Sequence, residues 1–158
     1  MSIPYQRTLA SSSSLEGTSL HTGEKVTLTM KPAPANHGIV FRRIDLDDKP
    51  FIPAIVDNVQ QVERATTLAV GSVKVHTVEH VISALAGMGI DNAIIEMDAN
   101  EPPIGDGSSA PYVKCIREAG IEEQDQLTSI FEIREPIHME NENGTIITIL
   151  PSKSFRVS

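Results

Sequence analysis

The stretch His76-Thr77-Val78-Glu79-His80-Val81-Ile82-Ser83-Ala84-Leu85-Ala86-Gly87-Met88 is the centre of the predicted fold. Its apolar residues recur at the spacing of one helical face: Val78, Val81, Ile82 and Leu85. Thr77 can accept a backbone N–H as an N-cap, and glycines stand near the far end of the run. The β-branched run Val73-Lys74-Val75 comes just before it. We therefore predict a strand that passes directly into a helix capped by Thr77.

Glu79 and His80 fall in the first turn of this predicted helix. The positive end of the helix dipole favours an ionised Glu79 and a neutral His80, and a neutral imidazole can bind a metal ion. A carboxylate beside such an imidazole can take the proton from a water molecule that the metal has acidified. The pair is therefore a candidate for metal-assisted hydrolysis.

Two other interpretations of this pair exist. On spacing alone, a Glu-His pair at a helix start is more often an ordinary solvated first turn. The pattern His76-x-x-Glu79-His80 also matches the inverted zincin signature, in which both histidines bind one zinc ion. That match requires His76 to be helical, because only then do residues four apart share a face. A cap at Thr77 places His76 before the helix and argues against it.

Length and composition set the broad class. The chain has 158 residues, of which 40% are hydrophobic, and this length suits one domain, or one domain and the start of another. Its net charge of −8 argues against a general nucleic-acid binder. The single cysteine, Cys115, lies in a predicted helix at 111–119 and excludes an internal disulfide, which fits a reducing compartment. Without a membrane-length apolar segment or a leader-like N-terminus, we predict a cytoplasmic protein.

Strand patterns dominate the chain before the helix. The segment 6–44 predicts an antiparallel meander, and 51–56 an edge strand, because Pro53 cannot donate to a central ladder. Further strands are predicted at 64–70 and 92–97. In the turn at 101–109, Asp106 is expected to make Asx-type hydrogen bonds, and Ser108 or Ser109 to cap the second helix.

The chain beyond Gly120 predicts a change of unit. Residues 122–126 are acidic and poor in apolar side chains, which is typical of a linker. Strands are predicted at 130–133 and 145–150, the second preceded by a hairpin turn at 141–144, with another at 154–157. We therefore predict a first domain at 1–126 and, at 127–158, the first strands of an incomplete second domain.

A series of motifs in fixed order carries a resemblance to a known family. They are Gln6-Arg7-Thr8-Leu9, Gly17-x-x-Leu20-His21-Thr22-Gly23, Lys31-Pro32-Ala33-Pro34, Gly38-Ile39-Val40-Phe41, Thr66-Thr67-Leu68, Thr77-Val78-Glu79-His80, Gly89-Ile90-Asp91-Asn92 and Pro103-Ile104-x-Asp106-Gly107-Ser108. Together they cover nearly all of the chain and resemble the N-terminal half of the UDP-3-O-acyl-N-acetylglucosamine deacetylases. Those enzymes are zinc hydrolases of lipid A biosynthesis.

The resemblance implies an α+β fold. Each domain of the family is a two-layer sandwich of mixed or antiparallel sheet and two helices, and here a truncated start of a second, similar domain would follow. It also implies that His80 is one of three protein ligands to zinc and that Glu79 is the general base. Thr66 and Thr67 would lie near the substrate, a UDP-sugar lipid precursor. His21 lies in a family motif of unclear role, and the family does not use a histidine at position 76.

The chain departs from the family pattern in one respect. The other two zinc ligands, a His-x-x-x-Asp pair, and the general-acid histidine belong to the second domain, and no such motif follows His80 here. We therefore expect an N-terminal portion that is inactive without the missing C-terminal domain. The competing hypothesis is a non-catalytic α/β module that binds a nucleotide sugar or a protein partner.

Overall fold

Twelve strands and two α-helices lie along residues 3–154 and 156–157, which the computed structural model describes. The elements are β1 Tyr5–Leu9, β2 Ser13–Thr18, β3 Lys25–Pro32, β4 Ile39–Arg43, β5 Phe51–Pro53, β6 Val59–Gln61, β7 Thr67–Val70, β8 Val73–Val75, α1 Glu79–Gly87, β9 Ala93–Met97, α2 Ala110–Ala119, β10 Ile121–Leu127, β11 Ile137–Glu140 and β12 Ile146–Ile149. A 3₁₀ turn at Val56–Asn58 precedes β6. The chain divides into two units, with the boundary between Thr128 and Ser129.

The first unit is built on a five-stranded mixed sheet in the order β2-β3-β9-β4-β5. Strand β9 is central: Ile95 lies opposite Met30 of antiparallel β3 on one side and opposite Phe41 of parallel β4 on the other. The predicted antiparallel meander at 6–44 is therefore wrong, because β9 separates β3 from β4. The strand predicted at 51–56 is confirmed as an edge strand but is shorter, since β5 ends at Pro53 and a 3₁₀ turn begins at Val56.

Both helices cover one face of this sheet. The buried side of α1 presents Val81, Ala84 and Leu85, and α2 packs against α1 and β2. These side chains join one core with alternate residues of β3, β4 and β9. Burial of each large aliphatic or aromatic side chain contributes roughly 1.5–3 kcal/mol to folding. The expected α+β fold, with two helices over mixed and antiparallel sheet, is confirmed.

The acidic segment after Gly120 is a strand, so the predicted linker at 122–126 is wrong. Strand β10 pairs with β1 in antiparallel register, with Leu9 opposite Ile121. The side chain of Gln124 donates to the carbonyl of Ala33 at 2.9 Å and accepts from Asn92 Nδ2 at 2.7 Å. Sequence composition missed this strand because backbone pairing, and not apolar side chains, holds it.

Strands β6, β7 and β8 form a separate small antiparallel sheet. The strand predicted at 64–70 is shorter than expected, and β8 lies between β7 and the helix. Leu68 of β7 and Val75 of β8 are opposite each other and buried. This sheet delivers the chain to α1.

The second unit is described by itself. Its β11–β12 hairpin closes through the predicted turn, in which the side chain of Asn141 accepts from the amides of Asn143 and Thr145. The strand predicted at 130–133 is wrong, since these residues have no regular secondary structure. The strand predicted at 154–157 includes Phe155, which lies outside the described residues. Whether this unit begins a second domain stays a prediction.

No helix in the described part of the chain is long and apolar enough to cross a membrane.

Candidate functional site

The helix that carries the predicted site begins at Glu79, with Val78 at its N-cap position. The predicted side-chain cap from Thr77 is wrong. Thr77 has a φ of +55°, and its hydroxyl donates to the carboxylate of Glu101 at 2.7 Å instead of turning to the helix. The sharp turn at Thr77 separates His76, which follows β8, from the helix.

The carboxylate of Glu79 is held by the segment that precedes β7. Its Oε2 accepts the backbone N–H of Thr66 at 3.0 Å. Within the described residues Oε1 has no hydrogen-bond partner and can receive a proton. The side chain is half-buried in the first turn of α1. This arrangement is suited to a general base.

His80 is half-buried beside Glu79. Its backbone carbonyl accepts from the hydroxyl of Ser83 at 3.1 Å, and that hydroxyl also lies 2.6 Å from the hydroxyl of Ser109. These bonds link the first turn of α1 to the residue that precedes α2. These bonds hold the backbone at His80, and an imidazole is a side chain that can act as a metal ligand.

Within residues 3–154 and 156–157, no group of three or more His, Cys, Asp or Glu side chains is placed to hold a metal ion. A catalytic zinc site uses three protein ligands and an open position. The chemistry of His80 suits one such ligand. The residues described here therefore fit part of a zinc site and not a whole one.

A cleft of about 300 Å³ lies beside the predicted substrate-binding threonines. It is lined by His21, Thr22, Gln61, Glu63, Arg64, Ala65, Thr67, His76 and Asn100. Thr67 and His21, singled out separately in the sequence, thus meet at one cleft, whereas Glu79 and His80 do not line it. The side-chain oxygen of Asn100 is buried without a hydrogen-bond partner in the described structure. The substrate roles of Thr66 and Thr67 stay predictions.

His76 forms a hydrogen bond with Thr67 of β7, which also lines this cleft. Its Nδ1 lies 2.9 Å from the hydroxyl of Thr67, which is itself buried. Burial lowers the pKa of His76 below its ordinary value, and the nearby charge of Glu101 opposes this effect. Because His76 lies outside α1, it does not share a helical face with His80. The inverted zincin interpretation therefore does not hold.

Glu101 is the residue that sequence reasoning missed. Its side chain is fully buried, yet in sequence it looked like part of a proline-rich turn. It accepts hydrogen bonds from the amides of His21 and Thr22 as well as from Thr77. One feature of the sequence could have pointed to Glu101: it is an acidic residue directly before two prolines, and the restricted backbone there can hold its side chain in one position. By contrast, the Asx-type bonds predicted for Asp106 are confirmed by its contacts with Ser108.

Comparison with known proteins identifies the family of this chain. Residues 6–158 match the family model described as LpxC, UDP-3-O-acyl N-acetylglycosamine deacetylase. The chain is 51% identical over 142 residues to a UDP-3-O-acyl-N-acetylglucosamine deacetylase of Legionella pneumophila strain Corby, covering 90% of this chain and 46% of that protein. It is 48% identical over 155 residues to a bifunctional enzyme LpxC/FabZ of Chlorobaculum tepidum, covering 98% of this chain and 33% of that protein. The chain thus spans less than half the length of these curated relatives.

Proposed function

Because the chain belongs to the UDP-3-O-acyl N-acetylglycosamine deacetylase family, we propose that it is the N-terminal part of a zinc-dependent amide hydrolase. The substrate would be UDP-3-O-acyl-N-acetylglucosamine, and the reaction would remove its N-acetyl group in lipid A biosynthesis. The observation that carries the proposal is the Glu79-His80 pair in the first turn of α1, within a family match that covers nearly the whole chain.

In this proposal His80 is a ligand of the zinc ion. Zinc, when bound, acidifies a water molecule and polarises an amide carbonyl. The rest of the site would come from the part of the family enzyme that this chain does not match. With one ligand of three, the chain alone is expected to release no acetate.

Glu79 acts as the general base. The Thr66 amide holds Oε2 and fixes the carboxylate, so Oε1 is the oxygen that takes the proton from the attacking water. Hydrolysis adds the hydroxyl of water to the acetyl carbon and a proton to the nitrogen, so the C–N bond breaks and leaves acetate and a free amine on the sugar. Thr66 is thus placed to act through its backbone, and we propose that the cleft beside Thr67 takes part of the nucleotide sugar.

A zinc titration of this chain tests the proposal. Weak binding, followed by calorimetry at neutral pH, should be lost in His80→Ala and retained in His76→Ala. His76 is a matched control because it precedes the same helix but lies off its face. Binding that requires both histidines, or that ignores His80, would contradict the assignment of His80.

An activity assay tests the role of Glu79. The chain should release no acetate from the UDP-sugar substrate alone, and activity should appear only when the remaining part of a family enzyme is joined to it. In that joined protein, Glu79→Gln should abolish turnover while zinc binding remains. Acetate release by the chain alone would overturn the proposal that it is an incomplete site.

A further inference from the structure

The carboxylate of Glu101 lies where two segments around the candidate site meet. Its exposed fraction is 0%. Oε2 accepts the amides of His21 and Thr22, both at 3.0 Å, and Oε1 accepts the hydroxyl of Thr77 at 2.7 Å. The three donors come from the turn that follows β2 and from the turn that precedes α1.

This carboxylate is held by hydrogen bonds and not by an ion pair. Within the described residues no lysine or arginine forms a salt bridge with Glu101. Burial raises the pKa of Glu101, but the bonds from Thr77, Thr22 and His21, together with the nearby charge of His21, outweigh it and hold that pKa below its ordinary value. A buried anion without a lysine or arginine partner depends on every donor that reaches it, because each lost bond exposes the cost of desolvation.

The backbone that carries Glu101 is itself fixed. The hydroxyl of Ser19 donates to the carbonyl of Glu101 at 3.1 Å, and the amide of Ile104 donates to the carbonyl of Thr18 at 3.0 Å. The hydroxyl of Tyr112 on α2 donates to the carbonyl of Pro103. Glu101 is therefore a rigid point against which the two turns are held.

One of those turns is strained. Thr77 is β-branched and has a φ of +55°, a conformation that costs about 1–2 kcal/mol for a residue with a Cβ. Glu79 begins α1 two residues later, so the geometry at Thr77 sets the direction in which the helix starts. The other turn carries His21, whose side chain lines the cleft beside Thr67.

We propose that Glu101 is a positioning residue for this site: its carboxylate holds the strained turn before α1 and the turn at His21 in one fixed relation. Through the first turn it sets where Glu79 meets the amide of Thr66. Through the second it sets where His21 borders the cleft. The name of the site rests on the proposed function, but the coupling between the two turns does not.

Backbone amide NMR of the whole chain tests this without any metal or substrate. Glu101→Gln replaces the charged carboxylate with a neutral amide, which is a weaker acceptor, so the amide signals of His21 and Thr22 should move upfield. The amide of Thr66, which does not touch Glu101, should move as well because Glu79 has shifted. An unchanged Thr66 amide in folded Glu101→Gln would overturn the proposal.

Glu96→Gln is the matched control. Glu96 is also a largely buried glutamate, and it pairs with Lys31 at 2.6 Å and Arg42 at 3.2 Å on the sheet. Its variant should leave the amides of His21, Thr22 and Thr66 in place. Shifts of the same size in both variants would mean a general loss of packing and would contradict a specific role for Glu101.

Thr77→Val keeps the test decisive if Glu101→Gln fails to fold. Valine keeps the β-branched shape and removes only the hydroxyl that reaches Glu101. The Thr66 amide should then move while that of Thr22 stays near its original position. A Thr66 amide that does not respond would refute the coupling. Because no readout involves zinc, failure of the deacetylase assignment would show in the zinc titration and not here.

Discussion

At the turn of Thr77, we predict that substitution by glycine destabilises the protein less than substitution by alanine. The hydroxyl of Thr77 bonds to a buried carboxylate at 2.7 Å, and the backbone has a φ of +55°. A hydrogen bond to a charged group contributes about 1.5–3 kcal/mol. Thr77→Ala loses this bond and keeps the backbone strain, so the free energy of unfolding should fall by about 1.5–3 kcal/mol.

Thr77→Gly loses the same bond but relieves the left-handed strain. That strain is about 1–2 kcal/mol, while the extra freedom of glycine in the unfolded chain costs about 0.5–1 kcal/mol. The glycine variant should therefore be more stable than the alanine variant by about 0–1.5 kcal/mol. Thr77→Ser keeps the hydroxyl and should stay close to the original protein.

Urea denaturation at pH 7, with m-values compared among the variants, measures these differences. The serine variant controls for the loss of the methyl group alone. An alanine variant as stable as the original would refute the energetic role assigned to the Thr77–Glu101 bond, and an alanine variant more stable than the glycine variant would refute the backbone strain assigned to Thr77. In a Glu101→Gln background, the effect of Thr77→Ala should shrink, because the charged acceptor is gone.

Three further changes test other parts of the structure. Gly17→Ala places a Cβ 2.8 Å from the Cβ of Pro103 and should lower the free energy of unfolding, measured by urea denaturation, by about 1–3 kcal/mol. The control is Gly87→Ala, which adds a Cβ in open space at a helix end and should be neutral or stabilising. Burial lowers the pKa of His76 below 6.5, so the unfolded state binds more protons than the folded state just below that pH. The free energy of unfolding should therefore fall as the pH drops below 6.5. His76→Asn should make this fall less steep. Asn92 is 1% exposed and forms hydrogen bonds with Gln6, Gln124 and Gly38. In thermal unfolding, Asn92→Ala should lower the free energy of unfolding by about 1–3 kcal/mol or more. A smaller change would mean that water replaces these bonds.

Local periodicity predicted the elements whose apolar side chains face the core. Helices α1 and α2 and the central strand β9 lie within about two residues of their predicted bounds, because their buried positions recur at regular spacing. The same signal could not show that β9 inserts between β3 and β4. The order of strands depends on contacts between segments far apart in the chain, so the residue pattern within a single strand does not reveal it.

The candidate site also has a part that the sequence predicted and a part that it did not. Glu79 and His80 could be singled out from the sequence because the motif around them is local, and their roles stay predictions. Glu101 was not accessible, since its partners at His21 and Thr77 lie 80 and 24 residues away. Strand β10 was missed because its side chains are mostly exposed and its acidic composition resembles that of a linker.

The pairing of the first strand with the last strand of the first unit has a consequence for synthesis on the ribosome. Strand β1 emerges first, but its partner β10 begins only at Ile121. At roughly 5–20 residues per second, β1 waits on the order of 6–22 s for that partner. During this time its backbone is an open edge on which another strand can pair. A nascent chain stalled before Leu127 would hold an unfinished unit, so the first unit is most exposed to chaperones and to aggregation just before β10 is completed, when almost all of its core residues have already been synthesised.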